Sequence, residues 1–519
     1  MGKPYGKYYP ADSPPLFLFP MAYRFIPPEW FKVKRYPHIG KPLVNADTRK
    51  VVWFIMNPNN IIHHQFRPLI RRTVVTYPHR RIAAGGSLRR KRKERPLTFA
   101  SHLDANIYAY YAYRLQQRYE DFVKEQGLGE VVVAYRKIPC ADGHGNKCNI
   151  HIADDVFKYA KSELEKGREV AIITFDIKGF FDNLDHRIIK RTWKQTMGYD
   201  DMPKDEYAVF RSVTQFSYIQ EQTLFDLFKD RILCQKAGLI VERPVKRLQY
   251  LYEHDAVSYC STDGIKEIKR HGLLETNTDT KGIPQGLPIS ATLANVYMRD
   301  FDVKVNDCVK TIGGIYKRYS DDIVVVCPIL YANDCKKIVM DSIKDVKLEI
   351  EERKTNLFEI RLENGGPKCY HETKGVNKPV EYLGFAFDGK RVLLKDASLC
   401  RYYNKMRIDK RRHKYWAILV NNKTNGRVFT NQIVKRFTLA GACRHHILTR
   451  QSDGSFVQSP DKAFGNYLTY AYKAAYIMGE PAIKRQLRRN LHKVKKNIAE
   501  IKDDVKRVQQ AQLYAMLMI

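Results

Sequence analysis

Apolar and polar positions divide this chain into alternating strand-like and helix-like stretches. Two runs, Val170 to Phe175 and Ile323 to Cys327, are apolar and rich in β-branched residues, the composition of strands buried on both faces. Ile315 to Tyr319 can pair with the second run as the other arm of a hairpin, which leaves Asp321 and Asp322 at its tip. Helices are predicted over Leu97–Tyr119, Asp154–Gly167, Arg187–Met197, Ser290 to about Phe301, and Ala332–Val346, with Asp182 and Asp185 as caps of the third. A short strand is expected at Val131–Ala134, and a strand and turn from Leu348 to Lys354. Val380 to Leu394 reads as a hairpin closed by an Asp388-Gly389 turn. The clearest helix starts at Gly479-Glu480-Pro481, with Leu487, Leu491, Val494, Ile498, Ile501, Val505 and Val508 at alternating steps of four and three. That seam is expected to pack on the chain's own helices, with pairing to a second copy as the alternative.

Length allows one to three domains with a large core. The formal net charge of +34 adds a statement about partners: a polyanion such as nucleic acid, or an anionic membrane surface. No apolar run reaches the length of a membrane span, Leu16–Met21 being far too short, and the amino terminus lacks a signal-peptide core. Nucleic acid therefore becomes the expected partner. Aromatic residues among cations, as in Arg401-Tyr402-Tyr403-Asn404-Lys405-Met406-Arg407, suit a helix that grips a duplex. Ten cysteines form no CxxC pair, so a reducing cytoplasm is expected rather than a disulfide scaffold.

The chemistry concentrates where the buried strands end. One strand delivers Asp176, and the hairpin delivers Asp321 and Asp322. Carboxylates side by side at the mouth of an apolar strand repel one another, and a divalent cation with oxygen ligands is the simplest compensation. Taken alone, the pair reads equally well as an exposed acidic turn. Between these strands in sequence lies Gly282-Ile-Pro284-Gln285-Gly286-Leu-Pro288, a tight loop whose backbone can approach a ligand closely, with Gln285 as a polar reader. Gly85-Gly86, set in the basic run from Arg80 to Pro96, reads as a turn in a hairpin or loop able to cover a phosphate chain. Cys140, His144, Cys148 and His151 are zinc-ligand types, but their spacing fits no common finger.

Two carboxylate-bearing strands, a glycine loop and a polycationic surface are the parts phosphoryl transfer needs. In order, Phe175-Asp176-Ile-Lys-Gly-Phe-Phe181-Asp182, Gly282-Ile-Pro-Gln285-Gly-Leu-Pro-Ile-Ser, Tyr319-Ser-Asp-Asp322, Lys354-Thr355 and Tyr382-Leu-Gly-Phe385 resemble reverse-transcriptase motifs A to E. The resemblance implies an α/β (α+β) right-hand polymerase. Its implied parts are an N-terminal extension over 1–80, fingers over 81–154, a palm over 155–396 with a fingers-like insertion near 199–280, a helical thumb over 397–478, and a heptad helix over 479–519. It implies Asp176, Asp321 and Asp322 as ligands of two Mg²⁺ ions, with Mn²⁺ as an alternative. Phe181 would be the aromatic gate against a ribose 2′-hydroxyl, and Gln285 and Gly286 would contact the nucleotide. Lys354 would protonate pyrophosphate, Lys93 and Arg95 would meet the triphosphate, and Tyr382, Leu383, Gly384 and Phe385 would grip the primer.

Arg95-Pro-Leu-Thr-Phe-Ala-Ser-His-Leu-Asp-Ala and Ala134-Tyr-Arg-Lys depart from the Gly-Phe-Arg-Pro pattern of group II intron enzymes. They look more like bacterial abortive-infection and defence-associated ("unknown group") reverse transcriptases. Cys443, His445 and His446 lack the cysteine pair of a maturase endonuclease, and no RNase H tetrad is recognisable. The resemblance thus implies cDNA synthesis from deoxynucleotides in a bacterial cytoplasm, in antiphage defence, with a cognate noncoding RNA. It leaves open a homo-oligomer through the terminal helix and protein priming from Tyr514. Rival readings are a retron or intron enzyme, an RNA-dependent RNA polymerase, and a catalytically silent RNA-binding scaffold.

Overall fold

The computed structural model describes residues 25–76, 79–81, 88–90, 93–143, 145–373, 375–376, 378–419, 428–442, 446–450, 456–462 and 465–517. Leu16–Met21, the Gly85-Gly86 turn, His144, Cys443 and His445 lie outside them. The chain has a mixed α/β fold with a helical C-terminal region. It divides into two compact units. One draws on residues up to Arg118 and on Ile189–Leu293, the other on Tyr119–Ile188 and on residues from Ala294 onward.

The first unit holds two four-stranded sheets. In one, Leu69–Thr76 pairs antiparallel with Lys93–Phe99 and parallel with Ser217–Gln220. Ile70, Ile219, Leu224, Phe225, Phe228 and Tyr259 are buried in its core. His38 is also buried there; its Nδ1 accepts from Ile39 N–H at 2.8 Å and its Nε2 lies 3.2 Å from the Phe99 carbonyl. Both nitrogens are thereby used by a neutral ring, and burial drives its pKa down to about 4.

The second unit is organised by a six-stranded antiparallel sheet in the order Ile315–Tyr319, Asp322–Pro328, Val170–Asp176, Asn356–Glu363, Gly366–His371, Gly375–Val376. The two apolar runs form its centre because both faces are covered. Val170, Ile172, Val324 and Val326 share a core with Ile150, Ala153, Val156 and Phe157 of helix Asn149–Glu165. Helix Ala332–Asp345, with buried Cys335, Val339 and Ile343, packs against both central strands as well.

Several elements differ from the sequence reading. Helix Leu97–Tyr119 is observed as His102–Glu125, because the residues before it complete a strand. The helix opened by Ser290 ends at Tyr297, and a second one runs Arg299–Thr311. Val131–Ala134 makes only a bridge, Val132 with Arg318. Val380–Leu394 is a three-stranded meander, since Leu383 and Gly384 both take positive φ and close a two-residue turn before Asp388-Gly389 closes the next. Of the two proposed caps, Asp185 accepts from the N–H groups of Arg187 and Ile188, whereas Asp182 belongs to a short 3₁₀ turn.

The terminal helix is also split, into Pro481–Gln486 and Asn490–Leu517. At the break, Asn490 donates to the Phe437 carbonyl at 2.8 Å and accepts from Tyr402. Val494, Ile501 and Val505 are buried, and the helix packs on Asp396–Leu419 and Thr430–Phe437, with Lys414 on Asp504 at 2.6 Å. Leu491 stays exposed, as do Leu513 and Tyr514. The seam is spent on the chain's own helices. Among the described residues no helix is long and apolar enough to cross a membrane.

Candidate active site

The sheet register brings the carboxylates together. Asp322 sits directly opposite Asp176, and Asp322 also pairs with Tyr319 across the hairpin. Side chains alternate along a strand, so Asp176 shares a face with Ile172 and Thr174, and Asp322 with Val324 and Val326. The two acids are therefore a cross-strand like-charge pair. Asp321 lies in the two-residue turn between the arms, where Ser320 has φ +61°, and its carbonyl accepts from Ile177 N–H at 3.1 Å. Burial, together with the charges of Asp321 and Asp176, pushes the Asp322 carboxyl up to about 6, against the opposing pull of Lys354 and Lys395. Asp322 keeps contact with solvent at the strand mouth, so protein atoms crowd it without sealing it.

Lys354 reaches this cluster through backbone pairing. Ile177 bridges Ile350, Lys178 N–H donates to Glu349, and Glu351 N–H donates to the Asp176 carbonyl at 2.8 Å. The 3₁₀ turn Glu352–Lys354 then places the Lys354 ammonium in hydrogen-bond contact with Asp176. A cavity of about 370 Å³ adjoins these groups, lined by Asp176, Asp322 and Lys354 together with Tyr382, Leu383 and Gly384 of the meander. The Tyr382 hydroxyl is buried there without a hydrogen-bond partner among the described residues, and burial and the Asp322 charge raise its pKa. Asn149 donates to the Leu383 carbonyl and to Tyr470, while Phe385 stacks on Tyr470. Phe181 follows Gly179, which has φ +55°, in the 3₁₀ turn Phe180–Asp182 and is half-buried.

Lys93, Arg95, Gln285 and Gly286 belong to the other unit. Lys93 and Arg95 are exposed on strand Lys93–Phe99. The Gln285 carbonyl accepts from Thr98 N–H at 2.7 Å and from the Thr98 hydroxyl at 2.9 Å. At Gly286, with φ +112°, a Cβ would stand 2.4 Å from the Thr98 carbonyl oxygen. The glycine is thus required by an approach to the chain's own backbone, a role that its loop chemistry alone does not reveal.

Among the described residues no three carboxylate, imidazole or thiol groups are drawn close enough to cage a metal ion. One reason is visible: Asp176 is turned to Lys354. The donor chemistry nonetheless fits a divalent cation, because three carboxylates lie on adjoining backbone and the proton affinity of Asp322 is raised by burial and by the other two, beyond what Lys354 and Lys395 offset. The cysteine loop is arranged for another purpose. Cys148 N–H donates to His151 Nδ1 at 3.1 Å as part of a helix cap, and Cys140 and Cys148 approach opposite nitrogens of that ring, at 3.8 and 3.4 Å.

Residues 246–387 match the family model for reverse transcriptase (RNA-dependent DNA polymerase). The chain carries a reverse-transcriptase domain. Such a domain is an RNA-dependent DNA polymerase, a nucleotidyltransferase, and its family works with divalent metal ions on an RNA template and deoxynucleotides. The matched stretch contains Gln285, Asp321, Asp322, Lys354 and the meander turn, while Asp176 lies upstream of it and joins through the sheet register. Among solved structures, the chain aligns with apo telomerase from Candida tropicalis at 12% identity, with TM-score 0.35 over 63% of this chain and 49% of that one. It also aligns with Candida tropicalis telomerase in complex with a TWJ fragment of telomeric RNA at 10% identity, with TM-score 0.34 over 85% and 62%. The chain therefore spans about half to three-fifths of the length of those proteins. No curated protein matches the sequence.

The network that fixes the hairpin from behind escaped the sequence reading. Arg318 forms a bidentate pair with Asp302, at 2.8 and 2.6 Å, and also donates to Asn295 and to the Ser320 carbonyl. An arginine in the arm expected to pair with the buried run Ile323–Cys327 was the available signal.

Proposed function

We propose that this protein copies RNA into DNA by metal-assisted phosphoryl transfer at Asp176, Asp321 and Asp322. The observation that carries the proposal is the cross-strand placement of Asp322 against Asp176 at the mouth of an apolar sheet. Two divalent ions held by the three carboxylates would activate the primer 3′-hydroxyl and neutralise the leaving pyrophosphate. Lys354, whose ammonium lies on Asp176, donates the proton that the pyrophosphate takes up. Phe181 excludes a 2′-hydroxyl by contact, Gln285 and Gly286 meet the incoming nucleotide, and Lys93 and Arg95 neutralise its phosphates. The turn Tyr382–Phe385 holds the primer end. A domain division into fingers, palm and thumb at the boundaries given above belongs to the same reading.

The departures from the group II intron pattern, together with the strongly basic chain, support a bacterial antiphage role with a cognate noncoding RNA. Deep sequencing of nucleic acid that copurifies with the protein, with and without phage infection, tests this: one noncoding RNA and its cDNA are expected, and intron RNA would overturn it. Nucleotide choice gives a second test. Phe181→Ala is expected to raise ribonucleotide incorporation about 10- to 100-fold relative to deoxynucleotides. Equal use of both by the wild type would refute the gate.

A further inference from the structure

Six non-glycine residues among those described take positive φ, and three of them surround the carboxylate cluster: Ser320 at the hairpin tip, Leu383 in the meander turn, and Tyr135. Tyr135, with φ +63°, comes from the segment before helix Asn149–Glu165, far from the others in sequence. Strained backbone persists only where the surroundings hold it, and the surroundings of Tyr135 do so on both sides. Arg318 N–H donates to the Val131 carbonyl at 2.8 Å, and Val133 N–H donates to the Arg318 carbonyl at 3.1 Å. Asn295 donates to the Ala134 carbonyl at 2.9 Å. On the far side, Arg136 is clamped by Glu120 and by the carbonyls of Gly129 and Val132.

Held this way, the Tyr135 side chain divides into two parts with different surroundings. Its hydroxyl is 3.0 Å from the Ser320 hydroxyl, which belongs to a residue only 4% exposed. The residue as a whole is 49% exposed, so much of the ring faces solvent beside the catalytic tip. A tyrosine needed only to brace Ser320 would gain by burying its ring. A rigidly mounted aromatic surface next to the reacting carboxylates is suited to pack on a base or sugar.

We infer that Tyr135 is a specificity-determining residue, whose ring packs on the base pair at the primer end and whose hydroxyl ties that contact through Ser320 to Asp321. The inference rests on the polymerase reading and adds a selection step to it: a misplaced primer end would displace the ring and, through Ser320, the turn that carries Asp321. Class of ligand and residue follow from the same geometry, since a stacking surface without hydrogen-bond readers judges the shape of a pair rather than its sequence.

The test is primer extension on an RNA template from matched and mismatched primer ends, with wild type, Tyr135→Phe, Tyr135→Ala, Ser320→Ala and the Tyr135→Phe/Ser320→Ala double variant, alongside thermal melting. Loss of one hydrogen bond is expected to lower the ratio of matched to mismatched extension about fivefold in Tyr135→Phe and in Ser320→Ala. The double variant should fall no further than either single one. Tyr135→Ala, which also loses the ring, should lower the ratio more than Tyr135→Phe. Ratios within twofold of wild type in all variants would overturn the inference and leave the polymerase reading intact. Matched and mismatched extension falling in step with melting would also overturn it, by showing a merely structural residue. A wild type that extends neither primer would instead remove the polymerase reading on which both stand.

Discussion

Two clusters of charge sit along the hairpin Ile315–Pro328, and they are built on opposite plans. Arg318 and Asp302 are both fully buried, and Asp302 also accepts from the Tyr316 hydroxyl at 2.7 Å. One cation meets one anion, and the remaining arginine donors go to Asn295 and the Ser320 carbonyl. At the tip, three carboxylates, Asp176, Asp321 and Asp322, share one mouth; Lys354, whose side chain is 53% exposed, pairs with Asp176, and Lys395 adds only a longer-range pull on Asp322. A closed, matched cluster has nothing left to bind and serves the fold. An open cluster with surplus negative charge lowers its energy by taking up a cation. Balance of charge separates scaffold from site more sharply than burial does.

The largest effect is expected from the open cluster. Asp321→Asn should reduce deoxynucleotide incorporation at least about 1,000-fold, because one proposed ligand of the ions is lost. RNA binding, carried by the basic surface, should persist in a filter-binding assay. The same substitution should not destabilise the protein. For Asp322→Asn, relief of the burial of a charge and of like-charge repulsion should even raise stability, by about 1 kcal/mol after allowance for solvent at the strand mouth. Undiminished incorporation by Asp321→Asn would mean that the carboxylates are not ligands.

The closed cluster should behave in the reverse sense. Arg318→Met leaves Asp302 buried and uncompensated and is expected to cost about 3–5 kcal/mol in denaturant melts. Replacing both partners, as Arg318→Met with Asp302→Leu, should recover most of that loss. A double variant no more stable than the single one would show that the pair is more than a matched charge.

His38 extends the contrast to pH. Its imidazole is held neutral and its pKa is about 4, below the ordinary histidine value. Between pH 6.5 and 4 the unfolded chain binds a proton that the folded one refuses, so stability falls on acidification through that window, by up to about 3 kcal/mol. Asp322 works in the opposite direction: its raised pKa makes the folded chain the better proton binder between about pH 4 and 6, and acid relieves its repulsion. His38→Gln should flatten the acid limb of a melting-temperature profile recorded in chelator. An unchanged limb would show that other groups govern it.

The central strands, and carboxylates at their ends, were legible in sequence because a buried strand announces itself by composition and its end by the first charge, as at Asp176 and Asp322. Partners set by register were not legible. Nothing in the spacing of Lys354 shows that the Ile177–Ile350 bridge will swing it onto Asp176, or that Tyr135 will meet Ser320. Leu383 and Gly384 were named for the primer grip, but the turn they close was not placed, because Asp388-Gly389 is the stronger turn signal and only the structure shows positive φ at a leucine. The heptad pattern named the right seam in Val494, Ile501 and Val505, yet Leu491 is exposed, because the helix starts afresh at Asn490.

Lys354 supplies the smallest and sharpest test, since it is a cation paired with an acid, as Arg318 is, but at the open cluster. If the comparison holds, its pairing with Asp176 is provisional. An exposed ammonium on a carboxylate contributes about 0–1 kcal/mol, so Lys354→Met should change stability by no more than that. The same substitution frees Asp176, and binding of Mn²⁺ to the protein without nucleotide, followed by paramagnetic resonance or calorimetry, should tighten about two- to fivefold, the size of one surface ion pair. Incorporation should fall because the proposed proton donor is gone, so metal affinity and activity are expected to move in opposite directions. A loss of several kcal/mol in stability, or weaker Mn²⁺ binding, would place Lys354 with Arg318 in the scaffold and erase the distinction between the two ends of the hairpin.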